Sequence, residues 1–205
     1  MVGKLYIIRH GETEWSLSGQ HTGRTDIPLT AHGEEEARRL APWLKDIQFS
    51  VALCSPRQRA QRTCELAGMG ALAKVEPNLA EWDYGDYEGQ RSPDIAKERP
   101  GWNIFVDGGP NGESPQDVSA RADRLINRLE ALDGNVALFS HGHFSRVLTA
   151  RWLGFPVVSG QRFTRYRNAQ DIRSGTAPAD GQGGVGIASS GPRAVCIRPG
   201  RCPLL

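Results

Sequence analysis

Long apolar runs are the first thing this sequence lacks. A bilayer-crossing helix needs roughly 20 consecutive apolar residues, and the first apolar run here, Leu5-Tyr6-Ile7-Ile8, stops at Arg9-His10. No membrane partner and no secretory segment is therefore expected, and a cytoplasmic location is. Cysteine is scarce as well: Cys54, Cys64, Cys196 and Cys202 form no CxxC pair and no zinc-knuckle or disulfide spacing. Reduced thiols and no metal site are the expectation. A strong charge of either sign is missing too, the formal net charge being +2. Residues 1–161 hold 18 Lys+Arg against 21 Asp+Glu, and residues 162–205 hold seven Arg against two Asp. The basic excess belongs to the tail, which speaks against nucleic acid as a partner of the body.

The tail has its own absences. Residues 162–205 contain no Lys, no Glu and no leucine before Leu204, while eleven of the 44 are Gly or Pro. Such a segment supplies little core, so it is expected to be irregular or poorly ordered. With 39% hydrophobic residues over 205 positions, the chain suits one domain, placed at residues 1–161.

What is present alternates between two periods. Residues 4–8 and 51–54 are short apolar, β-branched runs that read as buried strands, and residues 136–139 form a third. Between them lie helical patterns. Thr30 is placed to cap a helix through Leu44, Ser55-Pro56 to cap and open one reaching about Ala67, and Ser114-Pro115 to open a third. The last has Val118, Ala122, Leu125, Ile126 and Leu129 at helical spacing, and residues 144–153 form one more helical stretch. Strands alternating with helices imply an α/β fold, a three-layer α/β/α sandwich on a mostly parallel sheet. Residues 82–114 are rich in Gly, Pro, Asp and aromatics with one short helical candidate at residues 92–98, and read as a lid-like, substrate-facing insertion.

The chemistry gathers at strand ends. Arg9-His10-Gly11-Glu12 puts a guanidinium and an imidazole at a strand's carboxyl end, where open α/β sheets place ligands, and Gly11 lets a phosphate approach the backbone. Alone, the tetrapeptide is equally a strand-end histidine packed beside a surface arginine. Two further features bear on it: His141 in Ser140-His141-Gly142-His143 ends another strand, and Arg57, Arg59 and Arg62 fall near a helix start. Parallel strand ends share one edge of a sheet, so His10, His141 and Arg59 can meet there. Arg57 and Arg59 would sit where a helix N-terminus already favours anions, whereas Arg62 fits a solvated face as well as a site.

Four segments then resemble the motifs of the histidine phosphatase (phosphoglycerate mutase-like) superfamily, in that family's order. They are Leu5-Tyr6-Ile7-Ile8-Arg9-His10-Gly11-Glu12-Thr13, Ser55-Pro56-Arg57-Gln58-Arg59-Ala60-Gln61-Arg62-Thr63, Leu79-Ala80-Glu81 and Ser140-His141-Gly142. Within it, Gly19-Gln20-His21-Thr22-Gly23, Glu81-Trp82-Asp83-Tyr84-Gly85-Asp86-Tyr87-Glu88-Gly89 and Trp102-Asn103-Ile104 resemble a branch containing a sedoheptulose-1,7-bisphosphatase. The resemblance implies a metal-independent phosphatase without cofactor, acting on small phosphorylated metabolites, sugar phosphates or bisphosphates first. It implies that His10 is the nucleophile, forming a phosphohistidine. Arg9, Arg59 and His141 would clamp the phosphoryl oxygens, and Glu81 would be the proton donor. Ser16, Gln20, Thr22 and Gly23 match positions where relatives hold substrate phosphate or sugar hydroxyls, and Tyr84 and His143 are further candidate contacts, with a packing role open for each of these six. Arg57 joins them as a substrate-binding candidate. Trp82, Tyr87 and Trp102 read as packing of the insertion, and Glu12 as structural. Three alternatives stand beside this reading: a bisphosphate-dependent phosphoglycerate mutase, a phosphoprotein or phosphohistidine phosphatase, and a non-catalytic phospho-ligand binding domain. A homo-oligomer is compatible with it. The chain departs from the family after Arg162-Phe163-Thr164, where relatives usually supply closing strands of apolar residues.

Overall fold

The computed structural model describes residues 2–164, 186–187 and 194–197. Its chain runs β1 (Val2–Arg9), α1 (Glu14–Ser18), α2 (Ala31–Arg38), α3 (Ala41–Leu44), β2 (Phe49–Cys54), α4 (Gln58–Leu66), β3 (Ala73–Val75), α5 (Ser92–Glu98) and α6 (Ile104–Asp107). It continues through α7 (Pro115–Glu130), β4 (Gly134–Ser140) and α8 (Gly142–Trp152) to β5 (Gly186–Ile187) and β6 (Ala194–Ile197). The strands form one sheet in the order β3-β2-β4-β1-β6-β5. β3, β2, β4 and β1 are parallel, and β6 lies antiparallel to β1.

The strands alternate with period two and so divide the core. Leu5, Ile7, Val51, Leu53, Val136 and Leu138 face α7 and α8, meeting Val118, Ala122, Leu125, Leu129, Phe144, Val147 and Leu148. Ile8, Ala52, Cys54, Ala137 and Phe139 face the opposite layer, where Leu40, Leu44, Cys64, Ala67 and Met69 pack. This is the expected three-layer arrangement. A fully buried leucine such as Leu125 contributes about 1.5–3 kcal/mol by leaving water. Cys54 and Cys64 are free thiols, both buried.

Three expectations about elements need correction. The single helix over residues 30–44 is two, α2 and α3, because Pro42 has no N–H to give and its ring clashes with the carbonyl four residues back. Thr30 does cap α2, its hydroxyl accepting from Gly33 N at 3.0 Å. Ser55 does not cap α4: the helix starts at Gln58, with Arg57 at the cap position and no side-chain capping bond. The tail, to which the sequence assigns no element, supplies β5 and β6; its other residues from 165 onward lie outside the described set. The helix expected to open at Ser114-Pro115 does so, and Ser114 caps α7 reciprocally with Asp117.

The insertion is a packed layer. Trp82, Tyr84, Ile95, Ile104 and Phe105 are all buried, and Tyr87 and Trp102 meet edge to face at 5.1 Å. Gly85 has φ 55°, and a Cβ there would lie 1.9 Å from the carbonyl oxygen of Pro110. Only glycine serves at that close approach. Among the described residues no helix is long and apolar enough to cross a membrane.

Candidate active site

Register brings the reactive ends together. β1 pairs Arg9 with Ser140 of β4, and β2 pairs Cys54 with Phe139. The ladder then overruns each strand by one bond, His10 N to Ser140 O at 3.0 Å and Ser55 N to Phe139 O at 2.9 Å. His10, Ser55 and His141 therefore leave the sheet side by side, and the rings of His10 and His141 meet edge to face at 5.1 Å.

The bonds of each imidazole fix its tautomer. His10 Nδ1 lies 2.7 Å from Gly11 O; a carbonyl only accepts, so Nδ1 carries the proton and Nε2 keeps its lone pair. Burial, then the charges of Arg9 and Arg59, hold the imidazole well below its ordinary value, so it is neutral. His141 Nδ1 accepts from Arg59 Nε at 3.3 Å, which leaves Nε2–H to donate to Ser55 Oγ at 2.7 Å. Burial and Arg59 depress His141 in the same way. Ser55, proposed above as a cap, thus serves His141.

Arg59 has no exposed surface. Its Nη1 donates to Thr25 O and its Nη2 to Thr22 O, each at 2.9 Å, so the guanidinium both faces the histidines and holds the loop of residues 19–29. Burial lowers its ordinary value, and the charge of Glu81 opposes that; a guanidinium keeps its proton regardless. A Cβ built on Gly142 would have Arg9 Nε at 3.7 Å and Glu81 Oε2 at 3.8 Å, so the arginine and the carboxylate flank the start of α8.

Glu81 is held by three backbone N–H groups. Trp82 N and Phe144 N donate to Oε1 at 2.8 and 2.7 Å, and His143 N donates to Oε2 at 3.0 Å. The last two belong to the first turn of α8, whose own cap residue His141 makes no side-chain capping bond. The segment before Glu81 is anchored by Arg121, which donates to Asn78 O, Ala80 O and Glu81 O and pairs with Glu113 at 2.7 Å. Arg121 escaped the sequence reading. The signal was there: it lies three residues after Val118 and four before Leu125, inside the apolar stripe of α7.

The remaining candidates divide. Tyr84 Oη lies 2.6 Å from His143 Nδ1, with His21 stacked on the phenol at 4.5 Å. Burial keeps Tyr84 protonated and His143 neutral. Arg57 stands at the start of α4, and its Nε is buried without a hydrogen-bond partner. Ser16 forms a capping box with Thr13. Gln20 donates to Gly89 O at 2.9 Å, Thr22 Oγ1 donates to Gln20 O at 3.2 Å, and Gly23 N donates to Glu88. The structure therefore uses these four within the loop and its neighbours. Gly11 also has a reason besides phosphate approach: a Cβ there would lie 2.3 Å from Gly33 O of α2. Glu12 is structural, accepting from Thr30 Oγ1 at 2.8 Å. Among the described residues no group of three or more His, Cys, Asp or Glu could hold a metal ion.

Known proteins share this arrangement of sequence and fold. Residues 5–173 match the model of the histidine phosphatase superfamily, branch 1. An acid phosphatase of Mycobacterium tuberculosis is 42% identical over 164 residues, covering 78% of this chain and 80% of its own. The sedoheptulose 1,7-bisphosphatase of Saccharomyces cerevisiae is 38% identical over 184 residues, covering 74% and 68%. The solved structure of an open reading frame product of Mycobacterium tuberculosis superposes with a TM-score of 0.72 at 40% identity, covering 78% of this chain and 85% of that one. The match over four fifths of the chain, within which His10, Arg59, Glu81 and His141 all fall, has one consequence: this chain belongs to the histidine phosphatase superfamily, branch 1.

Proposed function

We propose that the chain hydrolyses phosphate monoesters of small metabolites, sugar phosphates and bisphosphates first, through a phosphoryl group carried on His10. The observation that carries this reading is the tautomer of His10: Nδ1–H donates to Gly11 O, so a neutral Nε2 lone pair is available to attack phosphorus. As the N–P bond forms, the ester P–O bond breaks and the leaving oxygen takes a proton from Glu81. Water then attacks the phosphorus of the phosphohistidine, Glu81 accepts its proton, the N–P bond breaks with its electron pair returning to His10 Nε2, and inorganic phosphate departs. Arg9 and Arg59 supply the positive charge that the transferring phosphoryl group needs, and His141 holds Arg59 Nε. Tyr84, His143 and Arg57 border this chemistry and contact the body of the substrate.

The test uses His10→Ala. Turnover of sugar phosphates and acid-labile labelling by phosphate should vanish together, while binding of inorganic phosphate persists through the arginines. Retained turnover removes the mechanism. A single-turnover experiment with labelled phosphoenzyme separates hydrolysis from transfer back to substrate: release as inorganic phosphate supports the phosphatase, and return to a phosphoglycerate supports a mutase.

A further inference from the structure

We infer that Glu88 is a positioning residue for Arg59, acting through the backbone of the loop between them; the inference rests on Arg59 binding the phosphoryl group, as proposed above. The peptide unit joining Thr22 to Gly23 is held from both ends. Its carbonyl accepts from Arg59 Nη2 at 2.9 Å, and its N–H donates to Glu88 at 2.9 Å for Oε1 and 3.0 Å for Oε2. Two residues on, the Thr25 N–H donates to Glu88 Oε1 at 3.0 Å, and the Thr25 carbonyl, which belongs to the next peptide unit, accepts from Arg59 Nη1 at 2.9 Å. A carboxylate and a guanidinium thus grip opposite sides of one turn. In the Thr22–Gly23 unit each polarises the amide in the sense the other needs, and charge-assisted bonds of this kind are stronger than neutral ones.

The loop has little room to drift. A Cβ on Gly23 would lie 2.5 Å from Trp82 O and 2.9 Å from Glu88 Oε2, so the turn is pressed against the segment that carries Glu81. With Nη1, Nη2 and Nε each committed to a loop carbonyl or to His141, the plane of the Arg59 guanidinium is set by where those carbonyls stand. Glu88 decides that position. A glutamine in its place presents one NH2 group toward amides that can only donate, which turns a bond into a clash of donors. The arginine then loses orientation without losing charge.

A double-mutant cycle between Arg59→Lys and Glu88→Gln tests the coupling, read as kcat/KM for a nitrophenyl phosphate and as affinity for inorganic phosphate by calorimetry. Glu88→Gln alone should cost about ten-fold in each, and in the Arg59→Lys background under about two-fold, the non-additivity that residues sharing a network show. Equal factors in both backgrounds overturn the inference and leave Glu88 as loop anchorage. Glu88→Asp, which keeps the charge and shortens the reach, repeats the cycle if the glutamine variant melts early. Phosphate affinity keeps the two proposals apart. Loss of coupling with intact phosphohistidine labelling fails the inference alone, whereas absent labelling with coupled phosphate binding fails the catalytic reading alone.

Discussion

The Phe144 N–H donates to Glu81 Oε1 at 2.7 Å, so the candidate proton donor doubles as the N-terminal cap of the helix that follows His141. One carboxylate therefore orients both itself and α8, and its position is tied to the second histidine.

Glu81→Gln keeps an acceptor for Phe144 N but removes the transferable proton. Hydrolysis of an alkyl phosphate, which leaves as a basic alkoxide, should fall by about 10² to 10⁴ in phosphoenzyme formation, the usual range for general acid catalysis. A nitrophenyl phosphate leaves as a stable anion and should lose far less. Burst kinetics isolates that step, and equal losses for both esters would reassign Glu81 to capping alone.

Stability should fall on acidification through the imidazole range. Burial first, then neighbouring arginines, place His10 and His141 well below 6.5, and burial with Arg146 does so for His143. Between those depressed values and 6.5 the unfolded chain binds more protons than the folded one, so stability is retained above 6.5 and lost as pH drops below it. Each histidine can contribute a slope of up to about 1.4 kcal/mol per pH unit. Urea unfolding at pH 7.5 and 5.5 measures it, and His141→Gln should flatten the slope by one histidine's share. Equal stability at the two pH values would contradict the neutral assignments.

Arg121→Met should destabilise the fold by about 3 kcal/mol, because it strands the acceptors of Asn78, Ala80 and Glu81 and leaves Glu113 unpaired in a mostly buried place. Chemical denaturation gives the number. The activity lost should exceed that of a core substitution of equal cost, since Arg121 anchors the residues that lead into Glu81.

Excess chelator should leave kcat/KM unchanged, because the proposed reaction takes its positive charge from Arg9 and Arg59. A strict requirement for Mg²⁺ would mean that the charge has been assigned to the wrong groups.

Much of this was legible in the sequence because strand ends are. The apolar runs that stop at Arg9-His10, at Cys54-Ser55 and at Ser140-His141 are long enough to be strands and short enough to be buried ones, and parallel register does the rest. What stayed hidden depends on partners distant in sequence. β3 is three exposed residues with no alternation to betray it. Ser55 looked like a helix cap because nothing local shows that a histidine 86 positions away donates to its hydroxyl. Glu88 read as part of a motif string, and its bonds reach amides more than 60 residues earlier. Arg121 is of a residue type usually found at the surface, and its place in the stripe of α7 is the one local sign of its burial. The break at Pro42 was readable and was overridden by a continuous amphipathic pattern.

The antiparallel contact of β6 with β1 gives the tail a duty that its composition does not advertise. Without Ala194–Ile197, β1 would be the rim of the sheet, its N–H and C=O groups open to pairing with any passing strand. The strand that leads to His10, the proposed nucleophile, is thus sheltered by four residues of the tail. Trimming that stretch should therefore first show as self-association of intact, phosphate-binding domains, ahead of any defect in the chemistry at His10.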